Sequence, residues 1–538
     1  DIYCGINNLF CSFIVKVLVL HTPIGVSSSK GIILSYKPLV EAKSLLIIDD
    51  VVASYSDSNK LCRLAEELGG VCIETSDYIV PAFIDPHVHP ESLGFETEIS
   101  ITMEIKNRYE LYEALRKNPI YVGEWILARF DHLLYSDCKP PTRRELDDIF
   151  PDKPVLLIHR SGHFGVLNTI GLRIASSHSG IGGGIDYENG FVFEKDLMLI
   201  REHILNRAGD EFMIKLLDKA IEQFVLNGVL TIGVAGCDTK LLNNLKTMDV
   251  KDNLLLRTYV YMILDKIDIK EIVREYVLSR LMYRKLRVNG VKVILDGALG
   301  PRTAYLSKPY SDEPTNNGVL LINRDDLYRI AMSVNEYGLQ IAIHAIGDAA
   351  LDIVLDVFEH LGTDVEKLQH RIEHASIVRD DQLEKINKLK PILVVQPHFI
   401  LSDIWIHERV GEDRLKYVYR FKTLSNITTL AFSTDAPVEP VNPWRTIYAA
   451  ACRGAYESLP IYKHTMSEKM NIIEALHSYT KLAGLALRDN RLGTLLPGCY
   501  ADFIIVDKNP IEIREPRDLL DIRVLGNSVK IIKELTKN

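Results

Sequence analysis

The chain has 538 residues, of which 47% are hydrophobic and 25% are charged, a composition typical of a folded globular protein and not of a disordered one. Its 63 Lys and Arg against 72 Asp and Glu give a formal net charge of -9, and no basic block is present to follow a phosphate backbone, which argues against nucleic-acid binding. The eight cysteines form no C-x-x-C pair, so we predict a reduced, cytoplasmic chain without a zinc ribbon.

The two ends of the chain both favour short β-strands. The apolar run 9–20 is too short to span a membrane and no basic region precedes it, so we predict a strand over 13–20 and neither a membrane span nor a signal peptide. Residues 490–538 place turn residues between apolar runs in the same way. Other predicted elements near the N-terminus are strands at 31–35 and 44–48 and a helix at 59–68. We therefore predict that 1–77 and 490–538 together build one small appended β-sandwich domain.

The middle of the chain alternates strands with helices. Residues from about 91 to 215 have no clean period and are predicted to be an insertion after the first strand. Beyond 215, apolar runs alternate with helical segments, of which 348–361, closed by Gly362, is the clearest. The eight predicted strands lie at 79–84, 229–234, 254–262, 288–295, 339–343, 371–373, 392–395 and 428–432. This alternation predicts parallel βαβ units and a (β/α)8 TIM barrel over 78–489, with the active site at the C-terminal ends of its strands.

Side chains that can carry chemistry, four of them imidazoles, lie in or at the ends of these predicted strands. His87 and His89 follow the first strand with one residue between them, so they point to one face. The later strands add Lys292, His344, His374 and Asp435. Imidazole and carboxylate groups suit zinc and similar divalent ions, and such an ion lowers the pKa of its bound water to about 7.

Together these motifs resemble the amidohydrolase superfamily, and most closely its amidohydrolase 3 branch, which includes YtcJ-like proteins and N-substituted formamide deformylases. The resemblance covers nearly the whole chain. It is carried by 81–89, by 290–304, by the strand-end motifs with His344, His374 and Asp435, and by 493–502. One departure is Ala82, where the family usually has glycine.

The resemblance implies a role for each of these side chains. His87, His89, His344 and His374 would be metal ligands, and Asp435 would be both a ligand and the general base. Lys292 would bridge two metals as an N-carboxylated lysine, because an ammonium cannot bind a cation whereas a carbamate offers two anionic oxygens. Three further residues are candidates for substrate binding: His163 in the loop 161–168, Arg302 after the fourth strand, and Gln396 after the seventh.

Each assignment has an alternative. The histidines could be structural, and Asp435 could cap a helix that starts near Pro437. Lys292 could be unmodified and paired with Asp296 or Asp435. His163 could be an ordinary loop histidine, and Arg302 could belong to a surface ion pair.

The predicted function is metal-dependent hydrolysis of a C–N bond in an amide or cyclic amide. Metal-bound hydroxide would attack the carbonyl, and Asp435 would then protonate the leaving nitrogen. Two alternatives stay open, namely the same site acting on an ester, lactone or aminated ring, and a non-catalytic assembly protein on the same barrel. The expected cofactor is one or two divalent ions, with zinc favoured, and the expected partner is a small-molecule substrate, not a nucleic acid or a membrane. A homo-oligomer is left open.

Overall fold

The computed structural model describes residues 23–100, 105–178, 180–264 and 267–535. The strand predicted over 13–20 lies outside these residues. The chain divides into two compact units: the described parts of 1–89 and 223–538 form one, and those of 90–222 form the other. Among the described residues, no helix combines the length and apolar character needed to cross a membrane.

Strands and helices follow one another along most of the described chain. The strands are β1 (Ile24–Tyr36), β2 (Leu39–Ile48), β3 (Val51–Ser56), β4 (Val71–Thr75), β5 (Tyr78–Pro81), β6 (Phe83–Val88), β7 (Ile120–Val122), β8 (Trp125–Phe130), β9 (Val155–His159), β10 (Phe164–Leu167), β11 (Ile185–Asp186), β12 (Phe191–Phe193), β13 (Val229–Cys237), β14 (Arg257–Ile263), β15 (Leu286–Ile294), β16 (Gln340–Ala345), β17 (Arg371–His374), β18 (Ile392–Val395), β19 (Leu430–Phe432), β20 (Phe503–Val506) and β21 (Val524–Asn527). The longer helices span Lys60–Glu67, Pro90–Ile99, Arg108–Lys117, Arg143–Ile149, Thr169–Ser176, Glu194–Arg207, Asp210–Leu226, Thr239–Val250, Ile269–Met282, Arg324–Glu336, Asp348–Leu361, Asp380–Leu389, Pro443–Cys452, Ile472–Ser478 and Ser528–Leu535.

The barrel predicted from the alternating pattern is confirmed. In the described chain, eight parallel strands run in the order β6, β13, β14, β15, β16, β17, β18, β19. Every residue of β6, β17 and β18 is buried, as expected for parallel strands covered on both faces. At the C-terminal rim the first and last strands meet, because Asp435 N–H donates to His87 O at 3.0 Å and His89 N–H donates to Ala436 O at 2.8 Å.

The first barrel strand is displaced from its predicted position at 79–84. That apolar run divides at Ala82, whose N–H donates to Asp502 O at 2.9 Å. Its first half is β5, which pairs antiparallel with β20, and its second half begins β6, which pairs with β13. Because both halves are buried, hydrophobicity alone could not show that the run serves two sheets.

Strands from both ends of the chain share a second sheet in the same unit. Within the described residues this sheet has seven strands, ordered β21, β20, β5, β1, β2, β3, with β4 paired to β1. Arg257 of the barrel donates to Asp502 and Asp50 of this sheet, each at 2.8 Å. The division of the chain into a β-sandwich domain and a barrel domain stays a prediction.

Residues 90–222 form the other unit and contain the predicted insertion. As described, this unit has a six-stranded sheet in the order β11, β12, β10, β9, β8, β7. Apolar side chains such as Trp125, Leu156 and Leu197 pack into a core of its own.

A disulfide joins Cys62, in the helix after β3, to Cys72 in β4. Their Cα atoms lie 5.0 Å apart because β4 runs beside that helix. The prediction that all cysteines are reduced is therefore wrong for this pair, whose spacing of ten residues matches no recognisable motif.

Candidate active site

The six predicted metal-binding side chains meet at the C-terminal rim of the barrel. Asp435 Oδ1 lies 3.4 Å from His87 Nε2 and 3.2 Å from His89 Nε2. Lys292 Nζ lies 3.5 Å from His87 Nε2. The ring centroid of His374 lies 5.0 Å from that of His87 and 4.5 Å from that of His344. These contacts join residues that come from five strands and their ends.

The donor atoms of this cluster fit a divalent cation. Ligand-type atoms of His87, His89 and Asp435 all lie within 4.8 Å of one another. Asp435 Oδ1 is buried and accepts no hydrogen bond, an arrangement that is costly for a carboxylate unless a cation approaches it.

Three of the imidazoles are fixed in a single neutral form. Burial lowers the pKa of His344 to about 4 and that of His374 to about 3. His374 Nδ1 lies 2.7 Å from Gln396 Oε1, and His344 Nε2 lies 3.0 Å from Gly297 O. Both partners only accept, so these nitrogens carry the protons and the other ring nitrogen keeps its lone pair. His87 Nδ1 is held in the same way by Glu373 Oε2 at 2.5 Å.

Lys292 is enclosed next to His87. Its side chain is 4% exposed, and burial lowers the pKa of its amine to about 8 against the opposing effects of Glu373 and Asp435. Among the described residues, no ion pair joins Lys292 to Asp296 or Asp435. Asp296 instead accepts from the N–H groups of Tyr305, Ile346 and Gly347 at 2.8 to 3.0 Å. Carboxylation of Lys292 stays a prediction.

Two of the cluster residues have left-handed backbones. His374 has a φ of +74° and Asp435 a φ of +58°. For residues with a Cβ such conformations cost about 1–3 kcal/mol and persist where the surroundings enforce them. The N–H of Asp435 bonds across the barrel seam to His87 O, and the N–H of Ala375 bonds to Ala345 O at 3.1 Å. The backbone strain therefore lies at the residues whose side chains face the cluster.

The three predicted substrate residues differ in position. Gln396 is buried, with its amide oxygen on His374 and its Nε2 donating to Ser433 at 2.8 Å, so it orients an imidazole. Arg302 pairs with Asp312 at 2.9 Å, which matches the ion-pair alternative. His163 belongs to the unit 90–222, is largely exposed and pairs with Glu194 at 3.0 Å. Substrate contact by any of the three stays a prediction.

Sequence reasoning missed the acidic residues behind the cluster. Glu373 precedes His374 and is fully buried. Asp85 precedes His87 by two residues and accepts from Thr434 and from Tyr479 Oη, the latter at 3.0 Å. Burial raises the pKa of Asp85 to about 7. The available signal was an acidic residue within two positions of a predicted ligand, inside a strand predicted to be buried.

Comparisons with known proteins identify the family and the fold. A family model described as the amidohydrolase family matches residues 77–528. YtcJ of Bacillus subtilis is 28% identical over 485 residues, covering 84% of this chain and 88% of YtcJ. An N-substituted formamide deformylase of Arthrobacter pascens is 23% identical, with the same coverage of 84% and 88%. The crystal structure of an uncharacterised metal-dependent hydrolase from Pyrococcus horikoshii superposes with a TM-score of 0.80 at 35% identity, covering 92% of this chain and 99% of that one.

The barrel and the donor set at its rim define a class, that of the (β/α)8 hydrolases with divalent metal sites. Within that class, the chain belongs to the amidohydrolase family, in its amidohydrolase 3 branch.

Proposed function

We propose that this protein hydrolyses a C–N bond of an amide or cyclic amide at the rim of its barrel. The observation that carries the proposal is the cluster of neutral imidazoles around a buried carboxylate oxygen that accepts no hydrogen bond. Similarity to the N-substituted formamide deformylase supports an amide over other acyl substrates.

The cation would be held by His87, His89, His344, His374 and Asp435, with Lys292 as a bridging ligand in its carboxylated form. When bound, a divalent ion polarises a carbonyl and makes water nucleophilic near neutral pH. Zinc is the metal we favour, because imidazole nitrogen and carboxylate oxygen are its usual ligands in hydrolytic sites.

Asp435 would transfer a proton from the attacking water to the leaving nitrogen. Its Oδ1 accepts no hydrogen bond and would take a proton from the attacking water as the new C–O bond forms. The same oxygen would then give that proton to the leaving nitrogen as the C–N bond breaks, which yields a carboxylic acid and an amine. Glu373, Gln396 and Gly297 would keep three imidazoles neutral and correctly oriented throughout.

The same side chains are compatible with an ester, a lactone or an aminated ring, which need the same attack on an unsaturated carbon. A non-catalytic assembly role is disfavoured, because the sequence retains every predicted ligand. We also propose a small-molecule substrate and a cytoplasmic location, although the Cys62–Cys72 disulfide removes the argument for that location from reduced cysteines.

A paired amide and ester screen tests the proposal. Zinc-loaded protein should hydrolyse at least one N-substituted formamide or cyclic amide faster than the matched ester or lactone, measured relative to the uncatalysed rates. Asp435→Asn should lower kcat by about 10²–10⁴-fold. His360→Asn, which changes an exposed histidine in the helix Asp348–Leu361, is the control and should leave activity unchanged. Hydrolysis of esters with no amide turnover would contradict the proposal in favour of the first alternative.

A further inference from the structure

The partner of His87 differs in kind from the partners of the other two fixed imidazoles. His374 and His344 each contact a neutral carbonyl oxygen. His87 Nδ1 contacts the carboxylate of Glu373 at 2.5 Å, and neither side chain is more than 1% exposed. A charged acceptor makes a shorter and stronger hydrogen bond than a neutral one, so His87 is the most tightly oriented of the three.

Glu373 is itself held by Arg371. Arg371 Nε donates to Oε1 at 2.7 Å and Nη2 donates to Oε2 at 2.8 Å, a bidentate pair with no exposed surface. The guanidinium lies 4.4 Å from the ring centroid of Tyr261. A buried carboxylate without a partner would be strongly unfavourable. The guanidinium of Arg371 therefore allows Glu373 to remain ionised in the buried interior and to accept a hydrogen bond from His87.

The same arginine also holds the backbone of His87. Its Nη2 donates to the carbonyl oxygen of Pro86 at 3.0 Å, directly before His87 in β6. The neighbouring strand β13 passes so close that a Cβ on Gly233 would lie 2.3 Å from that same oxygen. Both the main chain and the imidazole of His87 are therefore fixed from β17.

We propose that Glu373 is a positioning residue for His87 and that Arg371 holds it in place. Glu373 accepts the Nδ1–H of His87, which leaves the Nε2 lone pair directed at Asp435 and Lys292. This inference rests on the proposed function, in which Nε2 of His87 is a metal ligand. Neither Glu373 nor Arg371 touches the substrate.

The first test is metal affinity. Glu373→Gln cannot satisfy both His87 and two Arg371 donors, since its amide has a single acceptor oxygen. We expect its affinity for zinc, measured by chelator competition, to fall by about 10–100-fold, the usual effect of removing a partner of a ligating histidine. Glu384→Gln, an exposed change in the helix Asp380–Leu389, is the matched control and should bind zinc as wild type does.

The second test determines the tautomer of the His87 imidazole in the absence of metal and substrate. In histidine-labelled apo-protein, nitrogen NMR should show His87 protonated at Nδ1 alone, and Glu373→Gln should show a mixture of tautomers. Wild-type zinc affinity together with an unchanged His87 signal in Glu373→Gln would overturn the inference. If Glu373→Gln does not fold, Arg371→Lys replaces it, because a lysine keeps the charge without the two-point contact and should show the same changes to a smaller degree. A protein that hydrolyses no amide but passes both tests would refute the proposed function and leave the positioning role intact.

Discussion

Partners that can only accept hydrogen bonds decide which form the imidazoles take at the rim. Glu373, Gln396 and Gly297 each occupy one nitrogen of one histidine, and burial removes the charged form. The remaining nitrogens and Asp435 Oδ1 are then lone-pair donors grouped in one place. A cluster of this kind has little structural value by itself, because it groups lone pairs around a carboxylate oxygen that accepts no hydrogen bond, whereas a cation would satisfy them together.

Substitution of Lys292 gives the most specific test of the two-metal site at the level of single residues. Burial favours its neutral amine, the form that reacts with carbon dioxide. We expect Lys292→Ala to lower activity by at least about 100-fold and to lose at least one bound metal, since removing a bridging ligand undoes a two-metal site. Lys292→Glu should retain part of both. Metal analysis of the two variants and a carbamate carbon signal after ¹³C-bicarbonate labelling check this. Full metal content in Lys292→Ala would exclude the bridging role.

His370 should make the fold sensitive to acid. It is fully buried, its Nδ1 accepts from the Ile341 N–H at 3.3 Å, and burial lowers its pKa from 6.5 to about 4. Between pH 6.5 and about pH 4, His370 is protonated in the unfolded chain but not in the folded chain. The free energy of unfolding is therefore highest above about pH 6.5 and decreases as the pH falls towards 4. Over this pH range His370 alone lowers the free energy of unfolding by about 3 kcal/mol. Denaturant unfolding at a series of pH values should show a shallower slope for His370→Asn than for wild type. Equal slopes would mean that other groups cause the acid sensitivity.

At the scale of elements, apolar runs predicted the barrel well because parallel strands are buried on both faces. The run at 392–395 matches β18 and the helix 348–361 matches its prediction residue for residue. The split of 79–84 between β5 and β6 was missed, since both sheets bury the run equally. Glu373 and Arg371 were missed for a related reason. They lie two residues apart in β17, and the sequence does not show that the neighbouring strands bury this ion pair.

The Cys62–Cys72 disulfide should stabilise the seven-stranded sheet to which β4 belongs. Closing a loop of this length removes unfolded-state entropy equivalent to about 2.5 kcal/mol. Cys62→Ser together with Cys72→Ser should therefore lower the free energy of unfolding by about 2.5 kcal/mol, seen as a lower denaturant midpoint. A thiol assay on the unfolded wild-type chain should find two more reactive cysteines after reduction than before it. Equal counts would show that the bond does not form in the purified protein.

At the scale of the whole molecule, the C-terminal segment completes a sheet that starts near the N-terminus. Residues Phe503–Val506 pair with Tyr78–Pro81, immediately before the strand that carries His87. The connection between β5 and β6 thereby joins the seven-stranded sheet directly to the first strand of the barrel.

Deleting residues 490–538 should give insoluble protein. The deletion removes β20 and β21, exposes the edge of β5 and uncovers Ile79 and Val80, which are fully buried in the intact chain. Unpaired apolar edges promote aggregation. Size-exclusion chromatography of the expressed truncation checks this, with the full chain as the control. A soluble truncation with a cooperative unfolding transition would show that the two ends fold independently.

Metal content tests the central claim most directly. Elemental analysis of purified protein should find about one or two divalent ions per chain, with zinc predominant, because imidazole and carboxylate donors converge on one rim. Replacing His87 and His89 by Asn should remove most of the metal, whereas His360→Asn should retain it. A chain that carries no divalent metal after purification and after reconstitution with zinc, manganese or nickel would contradict the account.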